Sequence, residues 1–332
     1  MTAAEDIKVE ENKFTAADFL KSGSERFDLA LVIGGNSLKR IIEEPVVNRP
    51  GLALTGFYEH FAAARVQMLG NAEMAYLNSR SQAVRSECFR KMIEHDAWLF
   101  VFTSGHKPSP EDIAIAKEAG AVIMTTSLET RMFARNATFI FEQLGAPRTS
   151  IYGTMVEVCG LGVLFEGAPG MGKSETALGL IKRGCALVAD DFTNVRKDVA
   201  NNLLFGSASA ATAGYMEIRG IGILHVPSVF GVSSVRGEKS LQLVITFRPL
   251  DEIKGEIDRI GQTRRTRNIL GVEVPNIIIP VSEGRDLVNL VETAAQQQKL
   301  IAAGHNPVVE LSNRLHKRAM NQELNCKEER NG

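Results

Sequence analysis

Short apolar runs alternate with amphipathic segments over the first 146 residues of the chain. Four of these runs have the length and composition of buried strands: Phe27–Ile33, Leu52–Thr55, Trp98–Phe102 and Ala121–Thr125. Two amphipathic segments predict helices, Ala62–Leu77 and Pro110–Ala119, and Ser109 stands where the N-cap of the second helix belongs. Strands that alternate with helices in this way predict an α/β domain. No nucleotide-binding fingerprint occurs in this half.

The pattern changes near Pro147, where a turn-like segment predicts a boundary between two domains, residues 1–146 and 147–332. Five apolar runs after it predict strands: Thr154–Val158, Leu161–Phe165, Ala186–Ala189, Ile218–Val226 and Leu241–Phe247. The segment Asn201–Gly214 is rich in small and polar residues and predicts a mobile loop. Two predicted helices follow near the end, Asp286–Ala303 and Val308–Met320, so this half is also α/β.

The composition is that of an ordinary globular protein. Of 332 residues, 44% are hydrophobic and 23% are charged, and a formal net charge of −1 gives no basic excess for nucleic-acid binding. No apolar run approaches the ~20 residues that cross a bilayer, and the polar segment Met1–Lys13 is unlike a signal peptide. The four cysteines are isolated and the six histidines scattered, which disfavours zinc or redox sites. We therefore expect a cytoplasmic protein that binds neither membranes nor nucleic acids.

The strongest chemical signal is a glycine-rich segment between the predicted strand Leu161–Phe165 and an amphipathic helix. It reads Gly167-Ala168-Pro169-Gly170-Met171-Gly172-Lys173-Ser174, the Gly-x4-Gly-Lys-Ser pattern of a phosphate-binding loop. Its glycines let backbone N–H groups face one phosphate chain, and the helix N-terminus adds partial positive charge. Lys173 offers a charge to the outer phosphates and Ser174 a hydroxyl to Mg²⁺. The segment predicts that the chain binds a phosphorylated nucleotide.

Asp190 and Asp191 end a short apolar strand soon after the phosphate loop. The carboxyl ends of parallel strands meet at the ligand-binding edge of an α/β sheet, so both side chains are expected near the phosphates. A carboxylate there can hold Mg²⁺ through water or take a proton from an attacking hydroxyl. Adjacent residues of an extended chain point to opposite sides, so one aspartate is expected at the reacting groups and the other against a neighbouring loop. The sequence leaves open which does which.

Two further groups of charged residues have more than one interpretation. Glu217 and Arg219 stand at a strand entrance, followed by Gly220 and Gly222. Glu217 can complete a Mg²⁺ shell and Arg219 can brace it or bind a phosphate, whereas an exposed ion pair is the ordinary alternative. A basic cluster follows in Arg259, Arg264, Arg265 and Arg267. Such arginines either stabilise charge during phosphoryl transfer or form a solvated surface, and Arg285, in a predicted loop, has the same two interpretations.

Motifs in both halves follow the pattern of one family. They are the phosphate loop with its continuation Ser174–Leu178, Lys182–Gly184, Leu187–Asp191, Glu217–Ile223, Phe230–Gly231, Ser234–Arg236 and, in the first half, Asn48–Leu52. Together they resemble bacterial HPr kinase/phosphorylase. The resemblance implies an N-terminal α/β domain like that of Mur ligases and a C-terminal phosphate-loop kinase domain with a mixed sheet. It also implies a homohexamer.

The resemblance further implies an activity and its cofactors. Members of the family use ATP or pyrophosphate to phosphorylate a serine of HPr, a small carrier protein of the sugar phosphotransferase system. They also remove that phosphate with inorganic phosphate, which releases pyrophosphate. Lys173 matches the loop lysine of the family, and Ser174 and Glu217 match its Mg²⁺ ligands. Arg219, Gly220 and Gly222 belong to the family's signature stretch.

The remaining implied roles belong to acids and arginines. Asp190 and Asp191 match the acidic pair of the family, whose second member would take the serine proton and return a proton in the reverse reaction. Arg259 matches a catalytic arginine. The segment from Pro280 to Arg285 matches a loop associated with dephosphorylation.

The chain departs from the family pattern at two places. Tyr152 stands where the family has a histidine, before the glycine that leads to the strand preceding the phosphate loop. Histidine can share a proton with inorganic phosphate near neutral pH, whereas tyrosine can only form hydrogen bonds, so phosphorolysis is expected to be weakened more than phosphorylation. The segment Gly206–Tyr215 is rich in alanine where the family usually has a proline and larger apolar residues.

These departures keep two other functions open. The altered segment would contact the protein substrate, so the chain is alternatively a kinase for a different serine, in a protein or a small molecule. It is also possible to interpret Tyr152 as a sign of lost catalysis in a nucleotide-responsive binding module. A binding module needs the phosphate loop but has no use for a base such as Asp191.

Overall fold

The computed structural model describes residues 12–253 and 265–316. The chain divides into two compact units, with the division between Ala146 and Pro147, and each unit has its own hydrophobic core. We call them the N-terminal and the C-terminal unit. No helix within the described ranges is long and apolar enough to span a bilayer.

The N-terminal unit is a sheet covered by helices on both faces. Its elements are α1 (Ala16–Arg26), β1 (Ala30–Ile33), β2 (Val47–Asn48), α2 (Gly51–Leu54), β3 (Val66–Leu69), α3 (Asn71–Asn78), α4 (Gln82–Glu94), β4 (Leu99–Phe102), α5 (Pro110–Ala119), β5 (Val122–Thr125) and α6 (Thr130–Gly145). The strand order is β1-β5-β4-β3-β2, with β1 antiparallel and the others parallel. Alternate side chains of β4 enter two separate core clusters, which is why this strand is apolar throughout. The predicted α/β class is confirmed.

The helix Pro110–Ala119 has the predicted bounds, and Ser109 is its N-cap. The Ser109 hydroxyl accepts a hydrogen bond from the backbone N–H of Asp112 at 3.2 Å. The Asp112 carboxylate accepts one from the N–H of Ser109 at 2.9 Å. This reciprocal capping box satisfies two donors that a helix start otherwise leaves free. Local capping chemistry was sufficient to place this element.

Two predictions for the N-terminal unit are wrong. Leu52–Thr55 was expected to be a strand, but it forms helix α2, in which the N–H of Leu54 donates to the carbonyl of Pro50 at 3.0 Å. Only one side of this short helix is buried, and Leu52 is exposed, so the apolar run is not a fully buried strand. Ala62–Leu77 was expected to be one helix, but it contains strand β3 and then helix α3. The break falls at Gly70, where any Cβ would collide with Thr130.

The C-terminal unit has more strands than the sequence analysis predicted. Its elements are β6 (Arg148–Tyr152), β7 (Thr154–Val158), β8 (Leu161–Glu166), α7 (Lys173–Lys182), β9 (Ala186–Ala189), β10 (Phe192–Asp198), β11 (Leu203–Ser207), β12 (Tyr215–Ile218), β13 (Gly222–His225), α8 (Val226–Phe230), β14 (Glu238–Pro249), β15 (Arg265–Ile269), β16 (Val272–Val281) and α9 (Leu287–Ala302). Residues 307–316 are also helical, which agrees with the described part of the predicted helix Val308–Met320.

Most strands of this unit belong to one mixed sheet. The order is β6-β10-β11-β14-β8-β7-β9, and β16 pairs with β14 and β15. Strand β7 is antiparallel to both β8 and β9, so β8 and β9 run in the same direction. Strand β14 is parallel to β8, and β16 is parallel to β14. The carboxyl ends of β8, β9, β14 and β16 therefore lie at the same edge of the sheet.

The prediction that Asn201–Gly214 is a mobile loop is wrong for the first part of the segment. Its first part forms strand β11, which lies between β10 and β14, and Leu204 is buried in the core. Within this segment, residues 201–202 and 208–214 are outside regular elements, and the N–H of Val226 donates to the carbonyl of Gly214 at 2.8 Å. The small and polar residues of this segment have weak β propensity and therefore predicted a loop. Pairing with the two neighbouring strands overrides that weak propensity. The predicted strand Ile218–Val226 is instead part of the separate hairpin β12–β13.

Candidate active site

The phosphate loop connects the end of β8 to the start of α7, as its sequence predicts. Gly167, Gly170 and Gly172 all have positive φ angles, of 149°, 84° and 82°. A Cβ atom on Gly167 would lie 2.8 Å from the carbonyl oxygen of Phe247 in β14. Glycine is required here both for the backbone conformation and for this close approach. The loop therefore lies against the carboxyl end of β14.

Replacing Gly167 with alanine is expected to destabilise the C-terminal unit by about 1–3 kcal/mol, because overpacking of a fitted site costs that much. Weaker ATP binding is expected as well, because the loop backbone must shift to relieve the contact with Phe247. Gly237→Ala is the matched control, since a Cβ there meets nothing within 4 Å. Thermal unfolding and ATP titration of both variants measure the two effects. Equal melting temperatures and equal ATP affinities would contradict this account of the loop.

Lys173 is the first residue of α7 and only 6% exposed. Its ammonium Nζ donates hydrogen bonds to the carbonyl oxygens of Gly167 at 2.8 Å and of Ala168 at 3.3 Å. Burial lowers the pKa of Lys173, while the charges of Asp191 and Asp190 act in the opposite direction. The ammonium group is thus held within the loop by the carbonyls that surround the expected phosphate position.

Asp190, at the end of β9, connects three parts of the site. Its carboxylate accepts hydrogen bonds from the hydroxyl of Thr154 at 2.7 Å, from the hydroxyl of Ser174 at 3.1 Å and from the backbone N–H of Glu217 at 3.2 Å. Burial raises the pKa of Asp190 even though these hydrogen bonds act to lower it. Because its partners come from β7, α7 and β12, Asp190 fixes the position of the hairpin relative to the phosphate loop.

Asp191 has a different environment from its neighbour. Its side chain is exposed, and its φ of 60° means that the chain turns here and does not continue as the extended strand that we expected. Aspartate adopts this left-handed conformation more readily than most residues. The carbonyl of Asp191 accepts a hydrogen bond from the N–H of Gly153 at 2.8 Å. Asp190 is therefore buried and hydrogen-bonded, whereas the exposed side chain of Asp191 is accessible to a substrate.

Tyr152 and Phe192 form an aromatic pair beside the loop. The two residues face each other across the antiparallel strands β6 and β10, with ring centroids 5.4 Å apart and an interplanar angle of 69°. Nζ of Lys173 lies 4.6 Å from the centroid of the Tyr152 ring. Tyr152 is 41% exposed. Tyr152 thus contacts the loop lysine with its ring face.

Glu217 and Arg219 lie on the hairpin β12–β13, and both side chains are exposed. Gly220 lies in the turn of the hairpin and Gly222 is the first residue of β13, and their φ angles are 86° and 93°. Within the described ranges, no ion pair joins Arg219 to Glu217, and the roles of both residues stay predictions. The backbone of Glu217, through Asp190, is the part of the hairpin that is tied to the phosphate loop.

Pro280 and Arg285, predicted to belong to a loop used in dephosphorylation, lie in and after strand β16. Pro280 is buried in β16 beside Arg248 of β14, and Arg285 is exposed in the turn between β16 and α9. This turn leads to Leu287, whose Cδ1 lies 3.5 Å from where a Cβ of Gly172 would be. The turn that carries Arg285 therefore runs close to the phosphate loop.

The basic cluster is only partly described. Arg259 and Arg264 lie outside the described residues. Arg267 in β15 forms an ion pair with Glu166, the residue that precedes the phosphate loop, at 3.5 Å. For Arg267 this contact favours a structural role over direct contact with phosphate.

The oxygen atoms around the loop suit a Mg²⁺ ion that is bound mainly through substrate. Within the described ranges, no group of three or more His, Cys, Asp or Glu side chains converges on a possible metal position. Mg²⁺ usually keeps several waters and takes one or two protein carboxylates together with substrate phosphates. The hard oxygen donors of Ser174 and Asp190, with Glu217 nearby through its backbone, fit that mode of binding.

Sequence reasoning missed Thr154 as part of the site. Its side chain is fully buried, and its hydroxyl bonds to the Asp190 carboxylate at 2.7 Å. The signal was a polar residue at the start of the apolar run Thr154–Val158, since a buried hydroxyl requires a partner. A buried threonine can only be assigned to Asp190 once the pairing of β7 with β9 is known.

Comparisons with known proteins find related sequences for both units. A family model described as HPr Serine kinase C-terminal domain matches residues 143–315, and one described as HPr Serine kinase N terminus matches residues 20–140. An HPr kinase/phosphorylase of Leptospira biflexa is 42% identical over 289 residues, which are 87% of this chain and 89% of that protein. Another, of Geobacter sulfurreducens, is 37% identical over 298 residues, 90% of this chain and 93% of that protein. A solved Hpr(Ser) kinase/phosphatase from Coxiella burnetii is 33% identical and covers 51% of this chain and 98% of its own, with a TM-score of 0.45.

The matches extend through both units and include the residues from which the site is built. The family model of the C-terminal domain alone covers more than half of the chain. On the sequence matches to both domains and the two relatives, the chain belongs to the HPr serine kinase family.

Proposed function

We propose that this chain is a protein-serine kinase that transfers phosphate from ATP or pyrophosphate to a serine of HPr, and that it also catalyses the phosphorolytic reverse reaction. The supporting observation is the convergence of Lys173, Ser174 and the Asp190–Asp191 pair at one edge of the sheet. The names of the relatives, HPr kinase/phosphorylase, support the same substrate and both directions.

The phosphate chain of the donor would lie in the loop, where backbone N–H groups and the N-terminus of α7 face it. Lys173 neutralises charge on the outer phosphates. Ser174 and Glu217 would hold Mg²⁺, which supplies charge neutralisation to the phosphoryl oxygens when it is bound. Asp190 holds the Ser174 hydroxyl through a hydrogen bond of 3.1 Å, so it orients a metal ligand.

Asp191 is the better placed of the two aspartates to be the general base. In the forward reaction it accepts the proton of the serine hydroxyl while the serine oxygen bonds to the terminal phosphorus, and the bond from that phosphorus to the bridging oxygen breaks. In the reverse reaction inorganic phosphate attacks the phosphoserine, the phosphoester bond breaks, and the serine oxygen takes a proton from Asp191. Asp190 is less suited to this role because Thr154, Ser174 and a backbone N–H already occupy its oxygens.

The reverse reaction is proposed to be the weaker one. Tyr152 can donate or accept a hydrogen bond, but it cannot carry the positive charge that a histidine offers to inorganic phosphate. Arg259 is proposed as the arginine that offsets charge in the transfer, and Pro280–Arg285 as the loop used in dephosphorylation. The approach of Leu287 to Gly172 supports the placement of that loop beside the phosphates.

Incubation of the chain with ATP, Mg²⁺ and HPr is expected to yield one phosphoserine on HPr, detected by mass spectrometry. HPr with its target serine changed to alanine is the matched control and should stay unmodified. Phosphorylated HPr mixed with inorganic phosphate measures the reverse rate, which should be the slower of the two. No phosphoserine, with intact ATP binding, would contradict the proposal and favour a nucleotide-responsive binding module.

A kinase for a different serine is the second candidate. Residues 208–214 lead directly into β12 and carry only small side chains, where the family usually has larger apolar ones. If this turn contacts the acceptor, a partner with a different surface would fit it. Phosphoproteomics of a strain that lacks the enzyme would separate the candidates, because loss of an unrelated phosphosite would favour this one.

We also propose that the chain forms a homo-oligomer, as a hexamer. Four apolar side chains in or near the hairpin are largely exposed to solvent, which is energetically unfavourable. They are Ile221, Ile223, Val229 and Val232. Exposed apolar patches of this kind usually mark contacts with other protein surfaces.

A further inference from the structure

The ring of Tyr152 makes a contact that the proposed transfer mechanism does not use. Nζ of Lys173 lies 4.6 Å from the ring centroid, within the range of a cation–π interaction. The same ammonium group donates to the carbonyls of Gly167 and Ala168. An ammonium group has three N–H donors, so two are engaged by the loop and the remaining side faces the ring.

The ring is held in place from its other side. Phe192, directly opposite on β10, meets Tyr152 edge to face at 5.4 Å. The next residue, Gly153, is tied to the turn at Asp191 by its N–H, which donates to the Asp191 carbonyl at 2.8 Å. The ring position is therefore fixed by strand pairing and by an aromatic neighbour.

We infer that Tyr152 is a positioning residue that holds the Lys173 ammonium in a resting position, in competition with the phosphates of the donor. This inference rests on the proposed function of the loop. Two N–H donors of the ammonium group are engaged by loop carbonyls, so a phosphate that bonds to the remaining donor replaces the ring as its neighbour. The ring contact stabilises the enzyme without donor, and so it weakens donor binding by the amount of that stabilisation.

Removal of the ring face is expected to tighten binding of phosphate donors. A cation–π contact contributes about 0.5–2 kcal/mol, which corresponds to a roughly 2- to 30-fold lower dissociation constant. In steady-state kinetics, the change should appear in KM for the donor more than in kcat, because it affects the free enzyme and not the transition state. A residue that only supports the fold would not produce a gain in affinity.

The experiment is calorimetric titration of pyrophosphate with Mg²⁺ into the full chain and its variants. Tyr152→Leu keeps an apolar side chain without a π face and should bind roughly 2- to 30-fold more tightly. Tyr152→Phe keeps the ring face and should retain the pyrophosphate affinity of the parent chain, which would exclude the hydroxyl as the cause of the change in affinity. Phe205→Leu is the matched control, since it removes a comparable cation–π contact, that of Arg196 at 4.9 Å, elsewhere in the same sheet.

The outcomes separate this inference from the proposed function. If the parent chain binds pyrophosphate and Tyr152→Leu binds it equally or more weakly, the role of Tyr152 is overturned while the phosphate site stands. If the parent chain does not bind pyrophosphate or ATP, both fail. Equal gains for Tyr152→Leu and Tyr152→Phe would assign the effect to the hydroxyl and overturn the inference. Tyr152→Met serves as a second ring-free variant, and thermal unfolding of each variant checks that it is folded.

Discussion

Replacing Lys173 with methionine is expected to reduce kcat/KM for HPr phosphorylation by about 10²–10³-fold, the cost of removing one preorganised group that stabilises transition-state charge. Methionine retains an unbranched apolar stem of similar length, so it fits the position, which is only 6% exposed. The loss therefore reports the missing ammonium charge and not a cavity.

The melting temperature of Lys173→Met distinguishes a loss of catalysis from a loss of folded protein. The Lys173 charge is partly desolvated, since burial lowers its pKa, so relief of this desolvation offsets the loss of its hydrogen bonds and its ring contact. The carbonyls of Gly167 and Ala168 lose one partner each but lie in a loop that water can reach. We expect a melting temperature within a few degrees of the parent, by the scale of about 2–4 °C per kcal/mol for a unit of the size of the C-terminal one.

Lys182→Met is the matched control because Lys182 is exposed at the other end of the same helix, α7. It should phosphorylate HPr at the parent rate. Phosphate transfer by Lys173→Met within threefold of the parent would show that the loop lysine is not part of the reaction.

The sequence predicted the phosphate loop and its flanking elements better than the other strands of the sheet, and the reason is the range of the interactions involved. The phosphate loop and its helix are specified within eight consecutive residues, so local pattern identified them. Strands β6 and β10 were missed because they are mostly polar and their apolar residues do not alternate in step with burial, so that in β10 Phe192 is exposed and Thr193 is buried. Their place in the sheet is set by pairing between residues 40 or more positions apart, which no local pattern specifies.

The two aspartates show the same limit at the scale of single side chains. The sequence predicted that Asp190 and Asp191 would differ in environment, and they do, but the physical reason was different. The expected alternation of an extended strand is replaced by a turn, in which Asp191 has a φ of 60°. Which aspartate is buried depends on Thr154 and the backbone of Glu217, and these are brought to Asp190 by tertiary structure.

Replacing Asp191 with asparagine is expected to lower kcat for HPr phosphorylation by about 10²–10⁴-fold, the usual contribution of a positioned general base. KM for ATP should change little, because the exposed Asp191 side chain makes no hydrogen bond with the loop in the described structure. Stability should also change little, since the carbonyl that holds Gly153 belongs to the backbone and is retained. Asp198→Asn, at the far end of β10, is the matched control and should have the parent rate.

Asp190→Asn should fail in a different way, and the contrast assigns the two roles. If the asparagine oxygen faces the hydroxyls of Thr154 and Ser174, its NH₂ group meets the N–H of Glu217, so two donors face each other where a donor met an acceptor. An unsatisfied buried donor costs about 1–3 kcal/mol, so this variant should melt at a lower temperature and bind Mg²⁺-ATP more weakly. Stopped-flow kinetics, ATP titration and thermal unfolding of both variants provide the comparison. If Asp190→Asn loses only kcat while Asp191→Asn keeps the parent rate, Asp190 is the base, and the assignment made from burial is wrong.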